Sequence, residues 1–346
     1  MLPVDAILIV SFGGPERRED VLPFLRNVLR GRNVPAERMA EVAHHYELFN
    51  GVSPINAQNR ALIAALRQEL SAHGLSLPIY LGNRNWHPLL SDTLRQMRDE
   101  GVHHALAFFT SPFSSYSGCR QYRENIAAAR EQVGDDAPQV SVLRKFFNHP
   151  GFIEPNIANL RCSLETFPPD RRQHVHVAFT AHSIPQVMAR GCRYVEQLTE
   201  VCQLVACGAG VSRWRLVYQS RSGPPQQTWL EPDICQHLQE LHRSGVQDVV
   251  ISPIGFISDH MEILYDLDTE ACALARDLGM NVARMPTVGT HPQFVSMIRE
   301  LILERIDGSV PRRFCGQLGL SPDECPDECC PPAAAYGVSV PTGATA

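Results

Sequence analysis

The sequence predicts an α/β fold of two similar halves, each a doubly wound parallel sheet flanked by helices. Three observations lead to this prediction. The chain has 346 residues. A domain with a single hydrophobic core is usually shorter than this, so two domains are expected. Short β-branched runs alternate with longer amphipathic segments, which is the pattern of parallel strands joined by crossover helices. The same order of strand, polar turn and helix also occurs twice along the chain.

Each predicted strand is a short apolar run, and each predicted helix is a longer segment with apolar residues at helical spacing. Pro and Gly mark most joins between them, as expected for short βα loops. The predicted strands are Ala6–Phe12, Pro78–Gly82, Ala105–Thr110, Val175–Ala181, Arg215–Gln219, Val249–Pro253 and Val282–Met285. The predicted helices include Ile55–Ala72, Pro88–Glu100, Tyr194–Val205, Pro232–Arg243 and Pro292–Arg305.

The duplication is visible in two pairs of segments. The order of strand, polar turn, helix and strand in PIYLGNRNW…RDEGVHHALAFFTSP returns in RLVYQSRSG…HRSGVQDVVISPIGF. The order of strand and polar turn in AILIVSFGGPE likewise returns in VHVAFTAHSIP. Two halves of similar build would explain this, and chance similarity between βαβ units is the alternative. We expect domains at 1–147 and 148–310, a Cys-rich extension at 311–330 and a disordered tail at 331–346.

Composition narrows the function classes. Hydrophobic residues make up 44% and charged residues 20%, as in ordinary globular proteins. The net charge of −6, without a basic run, argues against a nucleic-acid partner. No apolar run reaches the roughly 20 residues that span a bilayer, and the first residues do not resemble a signal peptide. With 11 cysteines, we expect a cytoplasmic protein with reduced or metal-bound thiols, and we favour a monomer.

The stretch Val249–Glu270 carries the strongest chemical signal. Glu262, Asp266 and Glu270 recur every four residues, which places them along one side of a helix near His260. A solvated helix face is one interpretation of this row. A path for a divalent metal ion is the other, because no Lys or Arg is interleaved to balance the carboxylates.

His182 directly follows a predicted strand, in AFTAHSIP. One interpretation is that this histidine has only a structural role and caps the next turn. A neutral imidazole there would accept protons near pH 7 or bind a borderline metal ion. Because ligands of open parallel sheets bind at the carboxyl ends of the strands, we expect His182 and Glu262 to share one cleft.

Other strand ends predict an anionic, flat ligand rather than a nucleotide. SFGGPE lacks the GxGxxG fingerprint, and no GxxxxGK[ST] loop occurs. Ser53 begins a predicted helix, where it suits an anionic group or a simple N-cap. Tyr116, Arg120 and Tyr122 would suit a large flat ligand that bears carboxylates.

Four cysteines near the C-terminus form a separate group. Cys315, Cys325, Cys329 and Cys330 lie in FCGQLGLSPDECPDECC, a loop rich in Pro, Gly and Asp. Such a loop is expected to bind an iron–sulfur cluster, with zinc or free thiols as alternatives.

The chain resembles the ferrochelatases, which insert Fe²⁺ into a porphyrin in haem synthesis. The matching stretches are ILIVSFGGPE, HHYELFNGVSPINAQNRALI, GNRNWHP, SYSGCRQYRE, FTAHSIP and SPIGFISDHMEILYDLD, within residues 6 to 290. It is most similar to the actinobacterial type, which acts on coproporphyrin III to give coproheme. The resemblance implies two Rossmann-like domains of the type II chelatase kind, with the porphyrin in the cleft between them.

The resemblance also implies roles for individual residues. His182 and Glu262 would face the macrocycle as the central catalytic and Fe²⁺-binding pair, with Asp266 and Glu270 as an outer relay for Fe²⁺. His182 would act as a general base with a pKa near neutral pH. The residues implied to bind the porphyrin are Ser53, Tyr122, Tyr116, Tyr46 and Arg30.

Many relatives carry a [2Fe–2S] cluster held by one internal cysteine and three from the C-terminus. By resemblance, Cys325, Cys329 and Cys330 would be ligands, with Cys315 as the preferred fourth ligand and Cys162 as the alternative. The rival functions are a protoporphyrin IX ferrochelatase, a cobalt or nickel chelatase of the same fold, and a non-catalytic haem or iron carrier.

Overall fold

The computed structural model describes residues 3–30, 35–222 and 226–333. Within these ranges, eight strands form two parallel four-stranded sheets flanked by helices, so the predicted α/β fold is confirmed. The strands are β1 (Ala6–Ser11), β2 (Ile79–Asn83), β3 (His104–Phe109), β4 (Gln139–Val142), β5 (His176–His182), β6 (Trp214–Gln219), β7 (Asp248–Ser252) and β8 (Asn281–Arg284).

Helices connect the strands and cover both sheets. The α-helices are α1 (Val21–Val28), α2 (Ala36–Glu47), α3 (Ile55–Ala72), α4 (Leu90–Asp99), α5 (Gln121–Val133), α6 (Pro150–Glu165), α7 (Gln186–Arg190), α8 (Tyr194–Ala209), α9 (Ile234–Arg243), α10 (Cys272–Asp277) and α11 (Pro292–Ile306). Short 3₁₀ turns lie at Arg18–Asp20 and Arg172–His174, and two π-helices lie at Tyr116–Arg120 and Ile263–Ala271.

The two sheets have the same topology. Their strand orders are β2-β1-β3-β4 and β6-β5-β7-β8, so each half places its first strand between its second and third. The loop after the second strand closes alike in both halves: Asn83 N donates to Pro88 O (2.8 Å), and Tyr218 N donates to Pro232 O (2.9 Å). In each half a π-helix follows the third strand. The predicted duplication is therefore present in the fold.

The central strands are buried on both faces, which explains why their sequences read as continuous apolar runs. All six residues of β1 and all six of β3 are buried. β4 was not predicted. It is a four-residue edge strand, QVSV, whose alternating polar residues give no apolar run.

Helix α11 joins the two halves. Its Arg299 Nε donates to Glu69 Oε1 of α3 at 2.8 Å. On its buried side, Phe294 packs against Phe146 with ring centroids 5.9 Å apart, and Phe146 stacks on Phe108 of β3 at 5.0 Å. One cluster of buried hydrophobic residues contains residues of both sheets, so the two halves share one core.

The chain after α11 is held against the body by polar contacts. Arg144, which is buried, donates to both carboxylate oxygens of Glu304 at 2.7 Å and to Arg313 O at 2.9 Å. Asn148 Nδ2 donates to Gly319 O at 2.8 Å. The Cys-rich extension is therefore an ordered strap in the described range. The predicted disordered tail lies outside the described residues except for 331–333, of which Ala333 is buried.

None of the helices in the described part of the chain is both long and apolar enough to cross a membrane.

Candidate active site

One cleft lies at the carboxyl ends of the strands of both sheets. It encloses about 1100 Å³, part of it open to solvent. Its walls come from both halves, with Phe12, Ser53, Arg84 and Tyr122 from the first and His182, Phe256 and Glu262 from the second.

His182 is the last residue of β5, and its ring is fixed by its neighbours. Nδ1 donates to the Ser183 carbonyl oxygen. Because a carbonyl can only accept, Nδ1 carries a proton, and Nε2 is the nitrogen that can gain or lose one. Nε2 lies 3.4 Å from Glu262 Oε1, an ion-pair distance without good hydrogen-bond alignment. His182 therefore offers one titratable nitrogen to the cleft.

Glu262 lies between two histidines. Its Oε1 faces His182, and its Oε2 lies 3.7 Å from His260 Nδ1. Its backbone carbonyl accepts from Gln219 Nε2 at 3.0 Å, which ties the residue to the end of β6. His260 packs edge-on against Phe256, with ring centroids 4.6 Å apart. These contacts hold the carboxylate at the rim of the cleft.

The loop that carries these residues is fixed from both halves. From the first half, Gln58 Oε1 of α3 accepts from Asp259 N at 2.8 Å. From the second half, Arg284 NH1 and NH2 donate to the Asp259 carboxylate at 3.1 and 3.2 Å. Asp259 is therefore a structural ion-pair partner of Arg284. The relative position of the two halves thus sets the position of His260 and Glu262.

Charge pairing dominates the electrostatics of the central pair. Burial disfavours the imidazolium of His182, but the Glu262 carboxylate and the Ser183 carbonyl raise the pKa of His182 to about 9. Burial would raise the pKa of Glu262, but the His182 charge lowers it. In the substrate-free site the Glu262 carboxylate therefore favours the imidazolium form of His182, and the role of His182 as a general base stays a prediction.

The carboxylate row lies on a π-helix, where the sequence spacing predicts an α-helix. Glu262 caps Ile263–Ala271, and Asp266 and Glu270 follow inside it. The π-helix forms i→i+5 hydrogen bonds and is frequent at functional sites. Ser220 Oγ donates to Asp266 Oδ2, and Ser220 adopts a positive φ of 61° to reach it. Strain of this kind is retained mostly where the surrounding structure requires it.

The burial of the carboxylates in the row decreases with distance from the cleft. Burial and the Glu262 charge raise the pKa of Asp266 to about 7. Glu270, the outermost member, is exposed, and its pKa is raised by partial burial. Across the described residues, no three His, Cys, Asp or Glu side chains stand ready to hold a metal ion. A metal ion at the inner end would therefore need donors from a bound ligand to complete its coordination.

Three of the five residues implied to bind the porphyrin line the cleft. These are Ser53, Tyr46 and Tyr122, all of them buried. Tyr116 is not among the lining residues, because its hydroxyl donates to Glu124 at 3.0 Å. Arg30 is also absent from the lining and donates to Asn27 Oδ1 at 2.8 Å.

Arg84 is a cleft residue that the sequence does not single out. Its Nε donates to Asn125 Oδ1 at 2.6 Å, and its guanidinium lies over the rings of Tyr122 (4.6 Å) and Phe12 (5.7 Å). Burial lowers its pKa, and no carboxylate in the described part of the chain forms an ion pair with it. A buried cation without a carboxylate suits a carboxylate ligand. The sequence feature that could have indicated Arg84 as a cleft residue is its position directly after β2, in GNRNW.

Comparison with known proteins identifies the family. The family model for ferrochelatase matches residues 4–306 of the chain. The chain belongs to the ferrochelatase family. A ferrochelatase from Rhodopirellula baltica is 55% identical over 331 residues, which cover 95% of this chain and 93% of that protein. A coproporphyrin III ferrochelatase from Streptomyces coelicolor is 51% identical (95% and 94% covered), and one from Nocardia farcinica is 48% identical (96% and 97% covered).

Solved structures support the fold of this ferrochelatase-family chain. A structure of SirB from Bacillus subtilis with Fe³⁺ superposes with a TM-score of 0.54 at 14% identity, covering 90% of this chain and all of that one. The sirohydrochlorin chelatase SirB from Bacillus subtilis subspecies spizizenii in complex with cobalt gives a TM-score of 0.50 at 15% identity, with 89% and 98% covered. At these identities the likeness concerns the fold alone.

This member of the ferrochelatase family also brings four thiols together outside the lining of the cleft. Cys119 lies in the π-helix Tyr116–Arg120, and its thiol interacts with those of Cys325 and Cys330. The Sγ atoms of Cys329 and Cys330 are 3.4 Å apart. Hydrogen bonds from the Cys325 and Cys330 thiols lower the pKa of Cys119.

The internal cysteine of this group differs from both sequence candidates. Cys315 interacts electrostatically with Glu154 and Glu200 rather than with the other thiols. Cys162 is exposed on α6. Cys119 therefore replaces Cys315 and Cys162 as the fourth member of the group. Only the fold reveals this, because Cys119 and Cys325 are separated by about 200 residues of sequence.

Proposed function

We propose that this protein inserts Fe²⁺ into coproporphyrin III to form coproheme in haem synthesis. The observation that carries the proposal is the His182–Glu262 pair in the lining of a two-sided cleft. Relatives near 50% identity over almost their whole length carry the name coproporphyrin III ferrochelatase. All eleven cysteines are free thiols, which suits the reducing cytoplasm. We propose a monomer as the active form.

Metal insertion requires that two pyrrole N–H protons leave the ring while Fe²⁺ loses water. His182 Nε2 is the group placed to accept such a proton, once its own proton has left. An Fe²⁺ ion beside Glu262 would neutralise the carboxylate that keeps His182 protonated, and the pKa of His182 would fall. Arrival of the metal therefore prepares the base. The porphyrin nitrogens supply the donors that the protein alone does not provide.

The properties of Asp266 and Glu270 support a path that delivers Fe²⁺ to Glu262. Glu270 is exposed and meets the hydrated ion first, whereas the pKa of Asp266, raised to about 7, leaves it only partly ionised at neutral pH. A carboxyl group of this kind binds a divalent ion weakly and releases it readily. The row thus favours transfer over storage, which argues against a non-catalytic iron carrier.

Polar groups in the first half support a porphyrin with several carboxylates. The Arg84 guanidinium is available for a bidentate contact with a propionate, and the Ser53 and Tyr122 hydroxyls are available as donors. Tyr46 lies on the same wall, where Met261 packs against α1 and α2. Coproporphyrin III carries four propionates and protoporphyrin IX carries two, so the former makes fuller use of these donors.

An anaerobic insertion assay with Fe²⁺ tests the proposal and its main alternative together. We expect a higher kcat/KM with coproporphyrin III than with protoporphyrin IX, and an Arg84→Met variant should narrow the difference. A preference for protoporphyrin IX would assign the alternative substrate. Turnover with Co²⁺ or Ni²⁺ on a sirohydrochlorin-type ring, without Fe²⁺ insertion into either porphyrin, would overturn the proposal.

Variants of the central pair serve as controls in this assay. We expect His182→Ala to reduce insertion at least about 100-fold while the protein still binds porphyrin. Tight binding without turnover in the wild-type protein would instead indicate a carrier. An insertion rate unchanged by His182→Ala, in a folded protein, would remove His182 from the mechanism.

We further propose that the thiol group binds a [2Fe–2S] cluster through Cys119, Cys325, Cys329 and Cys330. An all-cysteine donor set is the usual one for such clusters. Two thiolates on one tetrahedral metal stand roughly 3.8 Å apart, and the 3.4 Å between Cys329 and Cys330 is close to this. Bound there, the cluster supplies a one-electron redox centre and a covalent tie between the C-terminal strap and the first half.

Absorbance of the purified protein tests the cluster assignment directly. We expect the visible spectrum of a [2Fe–2S] cluster in the wild type, its loss in Cys119→Ser, and its retention in the matched Cys315→Ser control. Loss in Cys315→Ser with retention in Cys119→Ser would restore the assignment made from the sequence. A colourless wild-type protein purified without oxygen would reject the cluster.

A further inference from the structure

Lys145 is the single lysine of the chain, which otherwise uses arginine at its basic positions. It lies between β4 and α6 and is buried, with 7% of its surface exposed. Lysine is among the residues least often buried without a partner. A buried ammonium at the sole lysine position therefore requires an explanation in its surroundings.

The ammonium group is held by two backbone carbonyls. Lys145 Nζ donates to Ser111 O and to Gly118 O, both at 2.7 Å, and lies 5.4 Å from the centroid of the Phe109 ring. No carboxylate in the described ranges forms an ion pair with it. A compact ammonium can reach several directions from one point, which a planar guanidinium cannot do in so small a space.

Lys145 is linked to the thiol group through the backbone, because Gly118, whose carbonyl accepts from Lys145 Nζ, directly precedes Cys119. Burial lowers the pKa of Lys145, and negative charge on Cys119, Cys330 or Cys325 would raise it. Without such negative charge a buried ammonium is disfavoured. Because four thiolates outweigh the positive charge that remains on two ferric ions and two sulfides, a loaded cluster site is an anion, which would favour the charged form of Lys145.

The carbonyls that hold Lys145 belong to the porphyrin cleft. Ser111 and Gly118 both line it. The segment between them is tightly packed, since Gly118 N donates to Ser115 Oγ at 2.9 Å and a Cβ on Gly118 would stand 2.5 Å from Ser111 Oγ. A displacement of the ammonium would therefore move the cleft wall.

We propose that Lys145 couples the cluster site to porphyrin binding. It holds the wall segment Ser111–Gly118 in its binding shape only while the thiol site opposite carries negative charge. The inference rests on the proposed [2Fe–2S] cluster and deepens it, because it gives the cluster a role in porphyrin affinity. Lys145 acts through the wall, so it is a positioning residue rather than a catalytic one.

Two variants separate this coupling from a simple charge effect. Lys145→Met removes the charge and both bonds to the wall. The matched control Arg123→Met removes a charge that acts on the Cys119 thiol and a bond to Cys325 O, but none to Ser111 or Gly118. By fluorescence quenching, we expect the Kd for coproporphyrin III to rise about tenfold in Lys145→Met, and to stay at the wild-type value in Arg123→Met.

The single lysine also gives a direct reading in the wild-type protein. Untagged protein grown with [¹³Cε]-lysine contains one labelled side chain, so its NMR spectrum reports Lys145 alone. We expect this signal to shift when coproporphyrin III binds and, separately, when the cluster is reduced with dithionite. This measurement decides the question even if Lys145→Met does not fold.

The possible failures are distinguishable. A wild-type protein that never shows cluster absorbance rejects the cluster and with it the basis of the coupling. A cluster-loaded wild type whose lysine signal is unmoved by porphyrin rejects the coupling and leaves the cluster standing. Equal porphyrin affinities in Lys145→Met and wild type would overturn the coupling in the same way.

Discussion

Replacing Glu262 by Gln tests the electrostatic centre of the proposed site, because Gln keeps the shape of the side chain and removes its charge. Burial alone lowers the pKa of His182, and the carboxylate overcomes this effect to raise it to about 9. In Glu262→Gln the burial remains and the charge is gone. We therefore expect the pKa of His182 to fall below its ordinary value of 6.5.

The size of the effect on stability follows from the shift in the pKa of His182. A shift from 6.5 to about 9 corresponds to roughly 3 kcal/mol of preference for the imidazolium. Because the folded pKa lies above the unfolded one, this preference stabilises the fold fully below pH 6.5 and is lost as the pH rises through about 9. The stability advantage of the wild type over Glu262→Gln should therefore shrink across that interval.

Histidine-labelled NMR provides the assay. The His182 resonance is assigned from the spectrum of His182→Gln, and its chemical shift is followed across the neutral and alkaline range in wild type and Glu262→Gln. Denaturant unfolding at the two ends of the range gives the stability difference. A His182 pKa that stays near 9 in the variant would refute the reasoning, since the carboxylate would then not be what holds the proton.

Contacts around the cleft give three further expected outcomes. Burial lowers the pKa of His149 to about 3. As the pH falls below 6.5, His149 therefore binds a proton in the unfolded chain but stays neutral in the folded chain. The melting temperature should fall with acidification, and less so in His149→Asn, which keeps an acceptor for the helix cap. Gln58→Leu should lower kcat about tenfold at unchanged porphyrin KM, whereas Gln58→Glu keeps the acceptor for Asp259 N and most of the rate. In Gly14→Ala the new Cβ would stand 2.7 Å from Ser53 Cβ, so the porphyrin Kd should rise severalfold with little change in kcat.

Each of these variants has a matched control on the same chain. His44→Asn changes an exposed histidine and should leave the acid dependence of melting as it is. Gln68→Leu makes the same substitution at an exposed position of α3. Gly308→Ala adds a Cβ that meets nothing within 4 Å. Controls that change the measurement as much as their partners would show that the named contacts are not responsible.

The sequence is informative where structure depends on local pattern. Buried parallel strands are continuous apolar runs, so seven of the eight strands in the described ranges are predicted within about a residue, and only the half-polar edge strand β4 is missed. The π-helix at Ile263–Ala271 is not predicted, because a four-residue repeat of carboxylates fits an α-helix equally well. Backbone hydrogen bonding decides between the two, and it leaves no clear mark in the residue pattern.

Cleft residues that depend on long-range packing are harder to find. Arg84 is notable only because no carboxylate meets it, a property of the folded surroundings. Cys119 joins the C-terminal thiols only through the path of the strap. Local spacing instead favours Cys315, whose neighbours in the fold are carboxylates. The pKa of His182 likewise depends on the folded surroundings, because it is raised by Glu262 from another strand end.

The duplicated fold accounts for the division of labour across the cleft. Phe12 directly follows β1 and His182 ends β5, so the first strand of each half places one ring in the cleft, an inert one on one side and a titratable one on the other. The π-helices after β3 and β7 diverge in the same way, one forming a wall backed by thiols and the other leading the carboxylate row inward from Glu270. With the roles proposed above, a planar ligand between these walls would exchange protons and receive metal from the second half only. The backbone is therefore nearly symmetric while the chemistry is one-sided, as insertion of a single ion into one face of a ring requires.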